Sequence, residues 1–337
     1  VQNLLDPAIL FFVFGVLAGA LRSNLEIPPA IAKFLSLYLL MALGLKGGFA
    51  LAKSGLTPEI MVSLVAAMVM AFVVPVLGYA FLKNRIARFD AAAVAAAYGS
   101  VSAVTFVTAV QTLENSGLTV GGHMAVAMVL MESPAIIVAV LLANTLRAAA
   151  PSSANLVISA GGTAAVGGLS AGPSISVGKI LHESLTHGAH LLLLGSMLIG
   201  YLSGEAGKTT MQPFSGDLFK GMLAFFLLDM GLMVARNFSD ARKASPVLIG
   251  YAVLGPLVHA TLALGLSWLL SLPVADAALL MVLSASASYI VVPAVLRYAI
   301  PEANPAVYFG LSLGITFPLN ILFGIPVYTT VAQQVLG

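Results

Sequence analysis

Three serines stand two residues apart in VLSASASYIVVP, 282–293: Ser284, Ser286 and Ser288. Hydroxyls in aliphatic surroundings can coordinate a small cation or donate to a small anion. The spacing does not suit a continuous helix. Ser284 and Ser288 share one face, and Ser286 falls nearly opposite. Pro293 then removes a backbone donor. A second segment, YGSVSAVTF, 98–106, repeats the pattern with Ser100 and Ser102 and adds Thr105. Both segments predict a helix that breaks or crosses a neighbour, with small residues admitting close backbone approach. The N-terminus of a half-helix carries about half a positive charge. Two of them aimed at one point make about one unit, and their free N–H groups supply directed donors. That suits a small monoanion, and neither segment contains Lys or Arg. For one segment alone, packing of small residues without a ligand is the better account; two segments at equivalent places favour a site.

The elements that must position these segments are membrane helices. Of 337 residues, 60% are hydrophobic and 8% charged. A soluble domain carries about 25% charged residues, so this chain has too little charge for a water-facing surface. Apolar runs of near-spanning length occur at 7–22, 30–52, 58–82, 90–112, 121–146, 180–203, 214–235, 246–270, 275–297 and 305–332, each close to the ~20 residues a bilayer needs. The expected fold is an all-α polytopic membrane protein with ten transmembrane helices. Cysteine is absent, which excludes disulfides and thiolate metal sites. There is no P-loop, no basic run for nucleic acid, and no grouping of nucleophile, base and orienter, so an enzyme is not expected.

The halves match in order, at offsets of 184 to 187. Ser100-Val-Ser102-Ala103 aligns with Ser284-Ala-Ser286-Ala287, 184 residues on, and the same offset pairs Pro134 with Pro318. Gly44-Leu45 pairs with Gly231-Leu232 at an offset of 187, and the Asp90 segment resembles the Asp276 segment. Five spans per half is an odd number, so the second repeat is inverted, a plan common to secondary transporters with midplane sites. The repeats are expected at 1–150 and 180–337. They are joined by a Gly/Ser/Ala-rich linker at 151–179, whose 151–178 stretch is uncharged. Eleven Lys and Arg residues fall on one side and four on the other. The positive-inside rule puts the linker in the cytoplasm and both termini outside.

Other polar residues lie deep. Glu132 is mid-span, and its expected use is as a cation ligand, proton carrier or gate, or as a structural hydrogen-bonding residue. Thr316 and Asn320 occupy the corresponding part of the last span, where packing is an equal account. Lys46 and Asp229 flank the matched Gly-Leu pairs in mirrored fashion, which predicts an ion pair between spans two and seven. His259 reads as a hydrogen-bonded core histidine. His182, His187 and His190 cluster near span six with no carboxylate spaced to complete a metal site.

The chain resembles the sodium-dependent bicarbonate transporter family along nearly its whole length except the linker. The likeness rests on LEIPPAIAKF (25–34), LGLKGGFAL (43–51), GSVSAVTFVTAVQTLE (99–114) and ESPAIIVAVLLAN (132–144). Its most specific part is LRYAIPEANPAVYFGLSLGITFPL (296–319), followed at once by NILFGIP. The resemblance implies a 5+5 inverted repeat with core and gate domains, a homotrimer, Na⁺-driven bicarbonate uptake by an elevator-type motion, and a cytoplasmic PII-like regulator. It implies substrate and Na⁺ binding around Gly99, Ser100, Ser102, Thr105, Ser284, Ser286 and Ser288, in a bacterial inner membrane and with no cofactor beyond the coupling ion. Glu132, Thr316 and Asn320 are the sodium-binding or gating candidates. The alternative is a cation/proton antiporter or organic-anion symporter on a related ten-span scaffold, with Glu132 titrating.

Overall fold

The computed structural model describes residues 5–55, 57–149, 188–241 and 243–337. The expected tether at 151–178 lies outside them, as do His182 and His187. Among the described residues there are helices and no strands: α1 (Pro7–Ala20), α2 (Pro29–Ser54), α3 (Pro58–Leu82), α4 (Arg88–Gly99), α5 (Ala103–Asn115), α6 (His123–Ala149), α7 (Gly188–Gln212), α8 (Leu218–Ala241), α9 (Pro246–Leu269), α10 (Val274–Ala285), α11 (Val291–Ala299) and α12 (Pro305–Leu336). Seven helical runs among them are long and apolar enough to cross a membrane.

Helix starts follow local chemistry. Proline opens α1, α2, α3, α9 and α12, where its missing N–H costs nothing. Asp6, Ser102, Ser245 and Asn304 cap α1, α5, α9 and α12 through side-chain oxygens. Gly188–Phe238 is one helical run of 51 residues, about 76 Å if straight. That is more than twice the ~30 Å hydrocarbon core. It is kinked at Gly204, whose φ of 56° favours glycine, and a wide turn at Pro213–Asp217 follows. In α12 the prolines are accommodated by two further wide turns, Ser312–Thr316 and Asn320–Gly324.

Two helix pairs, α1 with α8 and α2 with α7, are the most intimate in the molecule. Glycine is the reason. A Cβ on Gly48 would stand 2.1 Å from the Met197 carbonyl oxygen, and one on Gly231 would stand 2.2 Å from that of Phe12. Without side chains, backbones approach and dispersion holds helices that gain nothing from leaving lipid. The matched Gly44 and Gly231 thus do the same job in different pairs, α2/α7 and α8/α1. The remaining helices pack as a second set around α4, α5 and α10. The Arg88–Asn115 segment is the most enclosed, with 94% of its apolar window buried against 44% for α3 and for α9. It therefore lies inside the bundle, while α3 and α9 present apolar faces outward. The alanines at 91–93 and 95–97 keep α4 slim enough for that position.

Candidate functional site

Both serine segments interrupt helices. α4 ends at Gly99 and α5 begins at Ala103; α10 ends at Ala285 and α11 begins at Val291. The two breaks meet. The Ser102 amide donates to Ser286 Oγ at 3.0 Å, and the Ser288 amide donates to the Ala97 carbonyl at 2.8 Å. Ser286 Oγ in turn donates to the Leu283 carbonyl. Ser102 Oγ accepts from the Thr105 amide and from Thr105 Oγ1, and Ser288 Oγ accepts from the Val292 amide. Each unwound strand is thus held by the other and by its own following helix.

These contacts sort the candidates. Ser102, Thr105, Ser286 and Ser288 are tied into the crossing. Ser100 Oγ and Ser284 Oγ, its match 184 residues on, are both buried with no hydrogen-bond partner among the described residues. A buried hydroxyl lacking a partner is costly unless a ligand supplies one. Gly99 serves packing, since a Cβ there would collide with the Pro75 ring at 2.6 Å.

A cavity of about 70 Å³ adjoins the crossing, room for a few waters or one small ion. Its walls include Ser36, Ser102, Glu132, His190, Ser288 and Tyr289. Ala103 and Val104, in the first turn of α5, also line it, and their amides have no hydrogen-bond partner among the described residues. A helix start leaves such donors free, and they favour negative charge. No Lys or Arg lines the cavity.

Glu132 lies on this wall and pairs with His190 across α6 and α7, both side chains being buried. Spacing along the chain offers the histidine cluster no carboxylate because the partner of His190 is 58 residues away on another helix. Thr316 and Asn320 do not line the cavity. Thr316 Oγ1 donates to the Ala252 carbonyl and shares a hydrogen bond with Tyr98 OH, while Asn320 donates to the Ala285 carbonyl that ends α10. The Asn320 bond satisfies one orphan carbonyl of a broken helix.

The expected Lys46–Asp229 pair does not form. Lys46 Nζ lies 2.9 Å from Glu114 Oε2 and 4.4 Å from the centre of the Phe219 ring. Asp229 is ten residues beyond Phe219 on α8, about 15 Å along the axis. The lysine extends toward the wetter end of α5 instead of the apolar middle.

Sequence reasoning also missed a buried cluster on α10. Asp276 accepts from Ser63 Oγ and contacts His123 Nε2, both at 2.7 Å. Its counterpart Asp90 accepts from the Asn304 amide at 2.7 Å. Each acid in the first turn of an interrupted helix therefore secures the start of a helix in the other half of the chain, Asp276 that of α6 and Asp90 that of α12. The Asp90/Asp276 resemblance was the available signal. Among the described residues no group of three His, Cys, Asp or Glu side chains could hold a metal ion.

An all-helical, apolar bundle that brings two interrupted helices together beside a small cavity defines a multi-pass membrane protein, and the family match makes it a transporter. The chain belongs to the Na⁺-dependent bicarbonate transporter superfamily, whose family model matches residues 7–333. Comparison with individually curated proteins gave no match.

Proposed function

We propose that the protein is a Na⁺-coupled symporter of bicarbonate or a similar small anion, working by alternating access with the two helix breaks as its central site. The observation that carries this reading is the junction of Ser102 with Ser286 beside a cavity lined by the first turn of α5, Ser102, Ser288 and Glu132, with no Lys or Arg among its described lining residues. A monoanion there is met by dipoles, which bind it without the strong grip of a buried Lys or Arg. Ser100 and Ser284, with the carbonyl ends of α4 and α10, offer the hard oxygen donors that Na⁺ prefers. Na⁺ entering first would raise the local positive field and favour the anion, which is the physical basis of coupling.

Ten crossings in two inverted repeats are supported by the reciprocal features: α2/α7 with α1/α8, Asp90 with Asp276, and Ser100 with Ser284. An elevator-type motion would slide the set around α4, α5 and α10 against α1, α2, α7 and α8. The homotrimer and a cytoplasmic PII-like regulator rest on family membership alone, and the bacterial inner membrane follows from the same reading. In proteoliposomes, labelled bicarbonate should enter faster under an inward Na⁺ gradient. Equal uptake with K⁺ replacing Na⁺ removes the coupling.

A second reading, cation/proton exchange through Glu132, is favoured by the place of Glu132 on the cavity wall. A pH-driven Na⁺ flux abolished by Glu132→Gln, without bicarbonate flux, selects it.

A further inference from the structure

The first aromatic residue after the serine run, Tyr289, lies between α10 and α11 and lines the cavity. Its ring is fixed edge-on against Phe317, with centroids 5.3 Å apart, and Phe317 stands edge-on against Phe12. The phenol oxygen therefore has little freedom. It faces the Ser102 side chain and lies 3.7 Å from Met230 Sδ on α8.

The hydroxyls beside it are set in one direction. Thr105 Oγ1 donates to Ser102 Oγ, which also accepts from the Thr105 amide. Both acceptor positions of Ser102 are thereby used, which leaves its proton free to turn toward the Tyr289 oxygen that faces it. The Tyr289 proton then ends on a thioether, a weak acceptor. A chain of hydroxyls polarised toward its last member makes that member a better donor. An oxyanion in the cavity is a far stronger acceptor than sulfur.

Resting on the anion-site reading above, we propose that the Tyr289 hydroxyl is the side-chain donor that selects the transported anion, exchanging the Met230 sulfur for an oxygen of a small oxyanion. Because hydrogen-bond strength rises with acceptor basicity, this donor favours bicarbonate or formate over the weakly basic nitrate. Met230 sits in the helix set opposite the crossing, so the exchange also releases one contact between the two sets.

The test uses the full-length protein and Tyr289→Phe, which keeps the ring packing. In proteoliposomes the KM for bicarbonate should rise about tenfold or more, as for loss of a hydrogen bond to a charged group, with Vmax within about threefold by the same reasoning. The preference for bicarbonate over nitrate as competitor should collapse. In detergent, bicarbonate or formate should produce a near-ultraviolet phenol difference band in the wild type that Tyr289→Phe lacks. An unchanged KM and an unchanged anion preference overturn the proposal while leaving bicarbonate transport intact. A phenol band with formate but none with bicarbonate, together with absent bicarbonate flux, supports the donor role and overturns the bicarbonate reading. No tyrosine band with bicarbonate, formate or nitrate overturns the proposal, including where the variant fails to fold.

Discussion

Ser102 and Ser286 stand 184 residues apart, yet one hydrogen bond joins them, from the Ser102 amide to the Ser286 hydroxyl at 3.0 Å. The bond satisfies a buried N–H at a place where the helix has stopped and no carbonyl of its own is available. It also sets the distance between two helix ends that border one cavity.

Ser286→Ala removes that acceptor and leaves the Ser102 amide buried and unpaired, at a cost of about 1–3 kcal/mol. The midpoint of thermal unfolding in detergent should fall, and bicarbonate uptake should fall with it. Ser286→Thr, which keeps the hydroxyl, should recover much of both. Wild-type stability in the alanine variant would mean that the bond does not hold the crossing.

Gly48→Ala should destabilise the α2/α7 pair by about 1–3 kcal/mol, as overpacking does, because its Cβ meets backbone rather than a movable side chain. Gly195→Ala is the control on α7, with nothing within 4 Å of the added carbon. It should be neutral or stabilising by up to about 1 kcal/mol, from the helix propensity of alanine. Comparable unfolding midpoints for the two variants would contradict the close packing.

Arg147 at the end of α6 grips Glu302 with two hydrogen bonds of 2.7 Å and also donates to the Ala299 carbonyl. These bonds hold the Glu302 carboxyl below the ordinary carboxylate range. A depressed folded value stabilises above the unfolded pKa, about 4.3, and the contribution is lost as pH falls through the lower folded value. The difference in unfolding midpoint between wild type and Glu302→Gln should therefore be constant near neutrality and shrink below about pH 4. A difference that grows with acidification would reverse the assignment.

The polar contacts at the end of α5 converge on two consecutive residues. Glu114 binds Lys46 of α2, and Asn115 binds Asp6 before α1 and Lys220 of α8. They lie at the far end of α5 from Ser102 and join the two helix sets there. Lys46→Met with Glu114→Gln should therefore raise the rate at which Val101→Cys reacts with a membrane-impermeant thiol reagent added on the side where Glu114 lies. The chain has no cysteine of its own, so the background is clean. An unchanged rate would show that these contacts do not close the path at that end of α5.

Glu132 and His190 should be coupled by about 0.5–3 kcal/mol in a double-mutant cycle of Glu132→Gln and His190→Gln, as residues in direct contact are. Additive unfolding free energies would show that the two act independently.

The sequence by itself determined the membrane class, the helical content and the places where two helices stop. Charge scarcity, apolar run length and hydroxyls out of phase with the helix period are local properties that no packing can alter. It also marked the equivalence of Ser100 with Ser284 through their offset, and that of Asp90 with Asp276 through the likeness of their segments. Only the tertiary structure decided which polar groups meet. Lys46 found Glu114 rather than Asp229, His190 found Glu132, and Thr316 and Asn320 turned to backbone carbonyls away from the cavity. The reason is that partners on different helices must share depth and facing direction. Both depend on the tilt and rotation that neighbouring helices impose, and neither is written along a single strand of sequence.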